Sequence, residues 1–321
     1  MALNSSNFVD AVVTDQLMTD FRRDNQLLDV LLSSPASQRV LAMALAQGGS
    51  AGFAKKLQIP LLPQAALNPT DGYSTVTSFP SSTENPDLSS GYAIPTDLTV
   101  PFDINRVAVG THFLPELQKW THAAGALLQD GKIQADLQEM RDVIEEAVVD
   151  ELVTVGARTT ASAMGKFPLV TTSEAAVLSD FADIMAELNR QNVPKENRFF
   201  AMNPAHEGLA VEWAGVGGST DYPGMGDRAA GRFTRIAGMN IIYTSSLGTA
   251  EAVAFSLDRF ALVLPMGIVP EVLRDKDKIG DYTRLYTMFG YGALGKPIAS
   301  ADGNTPGDNP QREGVVSIAV T

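Results

Sequence analysis

The sequence predicts an α+β fold whose segments follow one another in a fixed order. These are a helical N-terminal arm, an extended β-hairpin loop, one long helix and a compact α/β region. Three patterns carry the prediction. Leu98, Val100, Phe102 and Ile104 alternate strictly with Thr99, Pro101 and Asp103, the two-residue period of a strand. Ile133, Leu137, Met140, Ile144, Val148 and Val155 fall near one helical stripe, with Asp136, Glu139, Glu146 and Asp150 largely off it. Between residues 171 and 300, helix-period and strand-period runs alternate.

The arm covers 1–56. Leu17, Phe21, Leu28 and Leu31 stand at helical spacing, and a second apolar run from Val40 to Leu45 stops at Gly48 and Gly49. This stripe has to be buried, against its own domain or against a neighbour. Over 57–110, Ser, Thr, Pro and Asn take over. Leu57, Ile59 and Leu61 alternate as Leu98 to Ile104 do, and SFPSSTENPDLSSGY between them is a polar tip. The result is a long two-stranded excursion. A lone hairpin is marginal in water, so it should rest on something, another subunit being the natural support. Residues 111–170 form a peripheral region, in which 111–158 read as helical and IQADLQEMRDVIEEAVVDELV as a structural spine.

From 171 to 300 the chain reads as a compact unit. TTSE (Thr171 to Glu174) is a capping box, and Val177, Phe181, Ile184 and Leu188 follow on one helix face, with Pro194 beyond its end. RFFAMNP is a short strand, and HEGLAVEW a short helix. A Gly-rich stretch, GVGGSTDYPGMGDRAAGR, precedes RIAGMNIIYTSSL, which has a turn at Gly238 and a β-branched run after it. VAFSLDRFALVL and TRLYTMFGYGAL supply two more strands. LRDKDKIGDYTR mixes both charges and reads as a solvated segment or an intersubunit seam of salt bridges. The C-terminal segment, 301–321, is turn-rich and ends in VVSIAV, a candidate last strand.

Composition narrows the function. With 321 residues, 45% of them hydrophobic, the chain can bury a sizeable core in one large domain or two modest ones. A net charge of -13 argues against a surface that grips nucleic acid, though not against one that encloses it. The absence of cysteine excludes disulfides, thiolate metal sites and cysteine nucleophiles. The N-terminus lacks a basic start followed by an apolar run, so it is not a secretory signal. No apolar run is long enough to span a bilayer, and the expected birthplace is the cytoplasm of a cell, plausibly a host cell.

Motifs for chemistry fail one by one. The Gly-rich stretch from Gly215 to Arg232 has no lysine (none occurs between Lys195 and Lys276), so it cannot be a Walker loop. A helical segment precedes it, where a dinucleotide fingerprint needs a strand. GGSAG (Gly48 to Gly52) matches a nucleophile elbow in letters, but the residues before it read as helix; His206 would be its distant partner. In DGNTPGDNPQRE, Asp302, Asn304, Gly307, Asp308 and Glu313 mimic a calcium loop, yet Pro306 occupies a ligand position. His112, His122 and His206 show no helical metal spacing. Glu145 and Glu146, adjacent on a helix, point apart. The expectation is therefore no enzyme: no catalytic residues, no cofactor and no metal.

The order of the parts is the best clue. With RFFAMNP at 198–204, RIAGMNIIYTSSL at 235–247 and TRLYTMFGYGALGKP at 283–297, the chain resembles the major capsid proteins of tailed bacteriophages, the Hong Kong 97-type capsid fold. The resemblance covers most of residues 50–300. It implies an N-terminal arm, an extended β loop, a peripheral domain with a spine helix, and an α/β axial domain over 171–300 whose strands return to the peripheral domain. It also implies that many copies assemble into pentamers and hexamers of an icosahedral virion shell around double-stranded DNA. A portal protein would be a partner, decoration proteins are left open, and assembly would take place in the bacterial host cytoplasm.

Two departures matter. Some members cross-link subunits through a β-loop lysine, and this chain has none between Lys56 and Lys119. Others carry a long N-terminal scaffold; an arm of about 55 residues leaves no room for one, so a separate scaffolding protein is expected. Two other readings compete. One is an encapsulin-like nanocompartment shell around protein cargo. The other is a soluble α/β hydrolase or nucleotide-binding enzyme using Ser50 or the Gly-rich loop. The interface residues expected of a shell subunit are Phe21 in the arm, Phe79 and Tyr92 at the β-loop tip, and Tyr222, Met225 and Arg228 in the Gly-rich loop. Deleting Ser81 to Gly91 should leave the circular dichroism of the subunit intact and impair particle formation in electron micrographs. Normal particles from the deletion would show that the loop tip has no part in assembly.

Overall fold

The computed structural model describes residues 26–48, 52–60, 99–115, 125–156, 167–169, 174–206, 235–236, 238–275, 280–295 and 311–321. Two helices come first, α1 (Gln26–Leu32) and α2 (Pro35–Gly48). Ser34 is the N-cap of α2. Its Oγ accepts the Ser37 N–H at 3.1 Å, and Pro35 fills the first helical position, where no N–H is needed.

The described part of the arm's apolar stripe is buried within its own chain. Leu27, Leu28, Leu31 and Leu32 enter the main core, while Ala36, Val40 and Ala44 pack in a smaller one. Ser37 fastens the two helices to the body. Its hydroxyl donates to Leu31 O at 2.6 Å and accepts the backbone N–H of Leu262 at 2.9 Å. Leu17 lies outside the described residues.

The two alternating runs pair as predicted. β1 (Lys56–Pro60) and β2 (Thr99–Asp103) are antiparallel, with Leu57 opposite Phe102 and Ile59 opposite Val100. Leu57, Ile59, Phe102 and Ile104 pack with Ala36, Val40 and Ala44 of α2, so the base of the excursion rests on its own chain. Residues 61–98, with the polar tip, lie outside the described residues.

The helical reading of 111–158 fails at its start. β3 (Arg106–Pro115) runs past residue 110, paired along its length with β11 (Gly280–Ala293). Its VAVGTHF run has the small, β-branched and aromatic residues of a strand, and a ten-residue ladder outweighs local helix propensity. The long helix, α3 (Gly125–Gly156), spans 32 residues, about 48 Å at 1.5 Å per residue. Leu137, Met140, Ile144, Val148 and Val155 are buried as the stripe requires. Asp136, expected off the stripe, is buried too, as are Arg141 and Glu145. The buried band is wide because α3 packs on two sheets. Asp136 sits against Gly110 of β3, where a Cβ would come within 3.0 Å of its own Cβ. The Thr244 hydroxyl donates to the Glu145 carboxylate, and Glu146 next to it is exposed.

The remaining elements are β4 (Phe167–Leu169), α4 (Glu174–Arg190), β5 (Arg198–Met202), β6 (Arg235–Ile236), β7 (Met239–Tyr243), β8 (Glu251–Ser256), β9 (Phe260–Val263), β10 (Val269–Asp275) and β12 (Val315–Val320). Six of them form a mixed sheet in the order β4-β12-β8-β5-β7-β6. Within it β4–β12 and β5–β7 are parallel, and β12–β8, β8–β5 and β7–β6 antiparallel.

Alternation sends successive residues of this sheet to opposite cores. Phe200, Met202, Ala252, Ala254, Val316 and Ile318 meet Phe181, Ile184 and Leu188 of α4. Ala201, Ile242, Val253, Phe255 and Val315 share the main core with α3 and α1. Both faces are covered, so these strands read as continuous apolar runs. A second sheet has the order β10-β11-β3, with β9 pairing the far end of β11.

Other readings are corrected in detail. VAFSLDRFALVL is two strands, β8 and β9, because Leu257 to Arg259 turn; the Arg259 N–H reaches Ser256 O at 3.0 Å. LRDKDKIGDYTR is not merely a solvated segment but the facing ends of β10 and β11, its residues 276–279 lying outside the described residues. VVSIAV forms the expected last strand, β12, which lies inside the sheet between β4 and β8. In the TTSE capping box, α4 begins at Glu174 and the residues before it lie outside the described ones. The end of α4 is closed by Asn192 in the left-handed region at φ 53°, with the Val193 N–H on Leu188 O at 3.1 Å. Buried Arg198 completes that cap, its guanidinium donating to Pro194 O at 2.8 Å and Asn189 Oδ1 at 2.9 Å.

Ser37→Ala leaves the buried Leu262 N–H without its acceptor and should lower the unfolding free energy by about 1–3 kcal/mol. Urea titration followed by circular dichroism measures this, and an unchanged midpoint would show that the arm is not fastened through Ser37.

Candidate assembly surface

Three distant segments converge beside the base of the β loop. Gly290 makes this possible: a Cβ there would lie 2.6 Å from Asp103 O and 3.0 Å from Ile104 Cα. The corner between β2 and β3 therefore crosses directly against the β11 backbone. Between this corner and the C-terminal turns of α3 opens a cleft of about 350 Å³. Asp103, Arg106, Glu151, Tyr291 and Arg312 border it over an apolar wall that includes Phe102 and Val155.

Each polar group is placed by packing. The Arg106 guanidinium lies 4.3 Å from the centroid of the Tyr291 ring, a cation–π contact, and that ring stacks on Phe289 with centroids 6.0 Å apart. The Arg312 N–H donates to Val155 O at 3.2 Å, which holds the C-terminal segment to the last turn of α3. Burial raises the Glu151 carboxyl above the ordinary carboxylate range, against the pull of Arg106 and Arg312. Burial also raises the Tyr291 phenol; Arg106 lowers it, while Glu151 and Asp150 raise it further.

A second surface is the outer face of β3, β11 and β10. Val107 and Val109 are 55% and 45% exposed. Their cross-strand partners Met288 and Tyr286 are half-buried on the same face. Arg284 reaches Glu271 at 3.9 Å beside them. Adjacent exposed apolar side chains of this kind suit contact with another chain.

Gly48 ends helix α2, so no strand feeds GGSAG, and Ser50 lies outside the described residues. The His206 Nε2 pairs with Thr249 O at 2.5 Å, in a turn where Asn203 Nδ2 donates to Leu247 O at 2.5 Å. These bonds staple two loops at one end of the central strands. Among the described residues no group of three or more His, Asp and Glu could hold a metal, and no helix is long and apolar enough to cross a membrane. The proposed interface residues Phe21, Phe79, Tyr92, Tyr222, Met225 and Arg228 all lie outside the described residues, as do His122, most of HEGLAVEW, the Gly-rich stretch and residues 302–310. Sequence reasoning missed Arg106, Glu151, Tyr291 and Arg312. Only Arg106, directly after an alternating strand, carried a local signal.

No family model and no curated protein matches this chain. Solved structures do. A chain from Mycobacterium phage Che8 superposes with a TM-score of 0.53 at 16% identity, covering 87% of this chain and 90% of that one. A chain from the capsid structure of the cyanophage P-SCSP1u gives 0.52 at 15% identity, covering 84% of each. The chain has the phage-capsid fold. A chain from Microbacterium phage Oxtober96 gives 0.50 at 12% identity, covering 84% and 87%. Nearly whole chains correspond, so the likeness is not that of one shared module. The mixed, largely antiparallel central sheet likewise departs from the doubly wound parallel sheet of a nucleotide-binding enzyme.

Glu151 gives this surface a pH signature. Its folded-state pKa lies above the unfolded value, so the folded state binds the proton more tightly. Its contribution is most favourable below the ordinary Glu range, and stability is lost as pH rises through the raised value. Glu151→Gln should therefore match or exceed the wild type at pH 7, the difference closing below about pH 4. Urea midpoints across that range measure it, and a variant clearly weaker at pH 7 would mean the charged form is favoured by its arginines.

Proposed function

We propose that the chain is the major capsid protein of a tailed bacteriophage. In this reading it assembles into pentamers and hexamers of an icosahedral shell around double-stranded DNA and resides in the virion. The observation that carries the proposal is the fold shared over 84–87% of the chain with phage structures, one of them described as a capsid. The exposed Val107 and Val109 face and the charged cleft support it, because both are suited to contact with further copies.

The physics of assembly fits the same picture. Contacts made over several surfaces per subunit sum, so individually weak ones give a stable shell. The net charge of -13 suits a wall that encloses DNA without gripping it. In this reading the N-terminal arm over 1–56, the β loop over 57–110 and the Gly-rich stretch of an axial domain over 171–300 would meet neighbouring copies, with a peripheral domain over 111–170. A separate scaffolding protein, a portal and external decoration proteins are the partners of this reading.

Purified full-length protein should sediment as assemblies of megadalton size, visible by electron microscopy, and denaturing gels should show no covalent ladder. A small soluble oligomer would overturn the proposal. Closed uniform shells from the chain alone would remove the scaffolding protein from it. Particles from the natural source should contain double-stranded DNA, and protein cargo in its place would assign a nanocompartment.

A further inference from the structure

An open sheet edge is a template for a further strand, because every second residue turns its N–H and C=O away from the neighbour already present. Most edges among the described residues are closed. In the six-stranded sheet the outer strands β4 and β6 are only three and two residues long. β10 carries Pro270, which has no N–H to offer, and β1 and β2 carry Pro60 and Pro101. At β9 the Leu262 N–H is taken by the Ser37 hydroxyl at 2.9 Å. β3 has none of these devices. It is ten residues long, pairs one-to-one with β11 without a bulge, and has no second strand beside it among the described residues. Its one proline is the last residue, Pro115, and no Lys, Arg, Asp or Glu stands between Val107 and Leu114. Val107, Val109 and Thr111 are exposed along this strand, while Ala108 and Gly110 between them are buried.

We propose that β3 pairs antiparallel with β3 of a second copy across a two-fold axis, joining the two sheets into one. Strand pairing needs two open edges. Among the described strands β3 alone has one, so the edge that complements it is the same strand of another copy. A two-fold contact is self-complementary and leaves neither edge open. Directly opposite residues of an antiparallel pair share a face. An axis near Val109 therefore sets Val109 beside its own counterpart and Val107 beside Thr111 of the other copy. All three are β-branched, the side chains that pack best across strands, and none carries a charge that would repel its like. The exposed valines of the outer face, which the single chain leaves uncovered, thus lie on the very strand whose edge is open.

The inference rests on the reading that copies of this chain assemble, and the test separates the two. The chain has no cysteine, so Val109→Cys in the full-length protein introduces a single thiol. Val269→Cys is the control: Val269 lies in the same row of the sheet, opposite Tyr286, but two strands away from the open edge. A short bismaleimide added to assembled particles should give covalent dimers from Val109→Cys and at least tenfold fewer from Val269→Cys. Adding Val107→Lys with Thr111→Lys guards the edge with charge and should cut the Val109→Cys dimers about tenfold, the urea midpoint staying near that of the parent. Equal yields from the two cysteines would overturn edge pairing in favour of contact through the sheet face. Particles that form normally but give no dimers from Val109→Cys would overturn the pairing, a different occupant then covering the edge, and leave the shell reading standing. Dimers in solution without particles would uphold the pairing and overturn the shell. Neither dimers nor particles would overturn both.

Discussion

The structure depends on close backbone approach at a few glycines. Gly290 lets the corner between β2 and β3 cross β11 where a Cβ would be 2.6 Å from Asp103 O. Gly156 does the same at the end of α3, where a Cβ would meet Ser317 N of β12 at 2.6 Å. A methyl group at either place would force backbone apart from backbone. Because the crossings are this tight, β11 can pair with β3 and β10 over its first part and with β9 over its last four residues. One strand thus holds the four-stranded sheet together, and α3 packs on it and on the six-stranded sheet, so the main core runs continuously under both.

That continuity explains the buried polar groups. A helix that packs on two sheets has a contact band too wide to be apolar throughout, and Asp136, Arg141 and Glu145 fall inside it. Burial of such groups is tolerable only where they find partners, as Glu145 does with Thr244 in the turn after β7. Similarly, Arg198 lies buried because its guanidinium donates to Pro194 O and Asn189 Oδ1 around the turn after α4. These bonds are directional where the apolar core is not. They fix the angle at which each helix lies on its sheet, which apolar burial alone leaves loosely set.

What could be read from the sequence follows the range of the interaction that decides it. The pairing of β1 with β2, the helix stripe and the strand of RFFAMNP rest on periodicity within a dozen residues, and all are present. The helical reading of Thr111 to Pro115 failed because a ladder to residues 280–284 decides it. The split of VAFSLDRFALVL turns on a tight turn without glycine or proline. The Ser34-Pro35 cap is equally local, a serine followed by proline at the first helical position. The cleft was not legible at all. Arg106, Glu151, Tyr291 and Arg312 are far apart along the chain, and only the crossing at Gly290 brings them to one opening.

The same division bears on how a subunit of this kind can assemble. Its core closes within one chain: both faces of the six-stranded sheet are covered by its own helices, and the arm helices seal the backbone N–H of Leu262 through Ser37. Folding of the described body therefore does not wait for a partner. Among the described residues, the surfaces suited to association are a sheet face with Val107 and Val109 exposed and a cleft in which charge stands half-buried. Neither is wholly apolar, which suits contacts that are reversible when taken singly. On the proposed shell reading, reversible contacts would let a misplaced subunit leave before closure, and their number, not the strength of any one, would stabilise the closed shell.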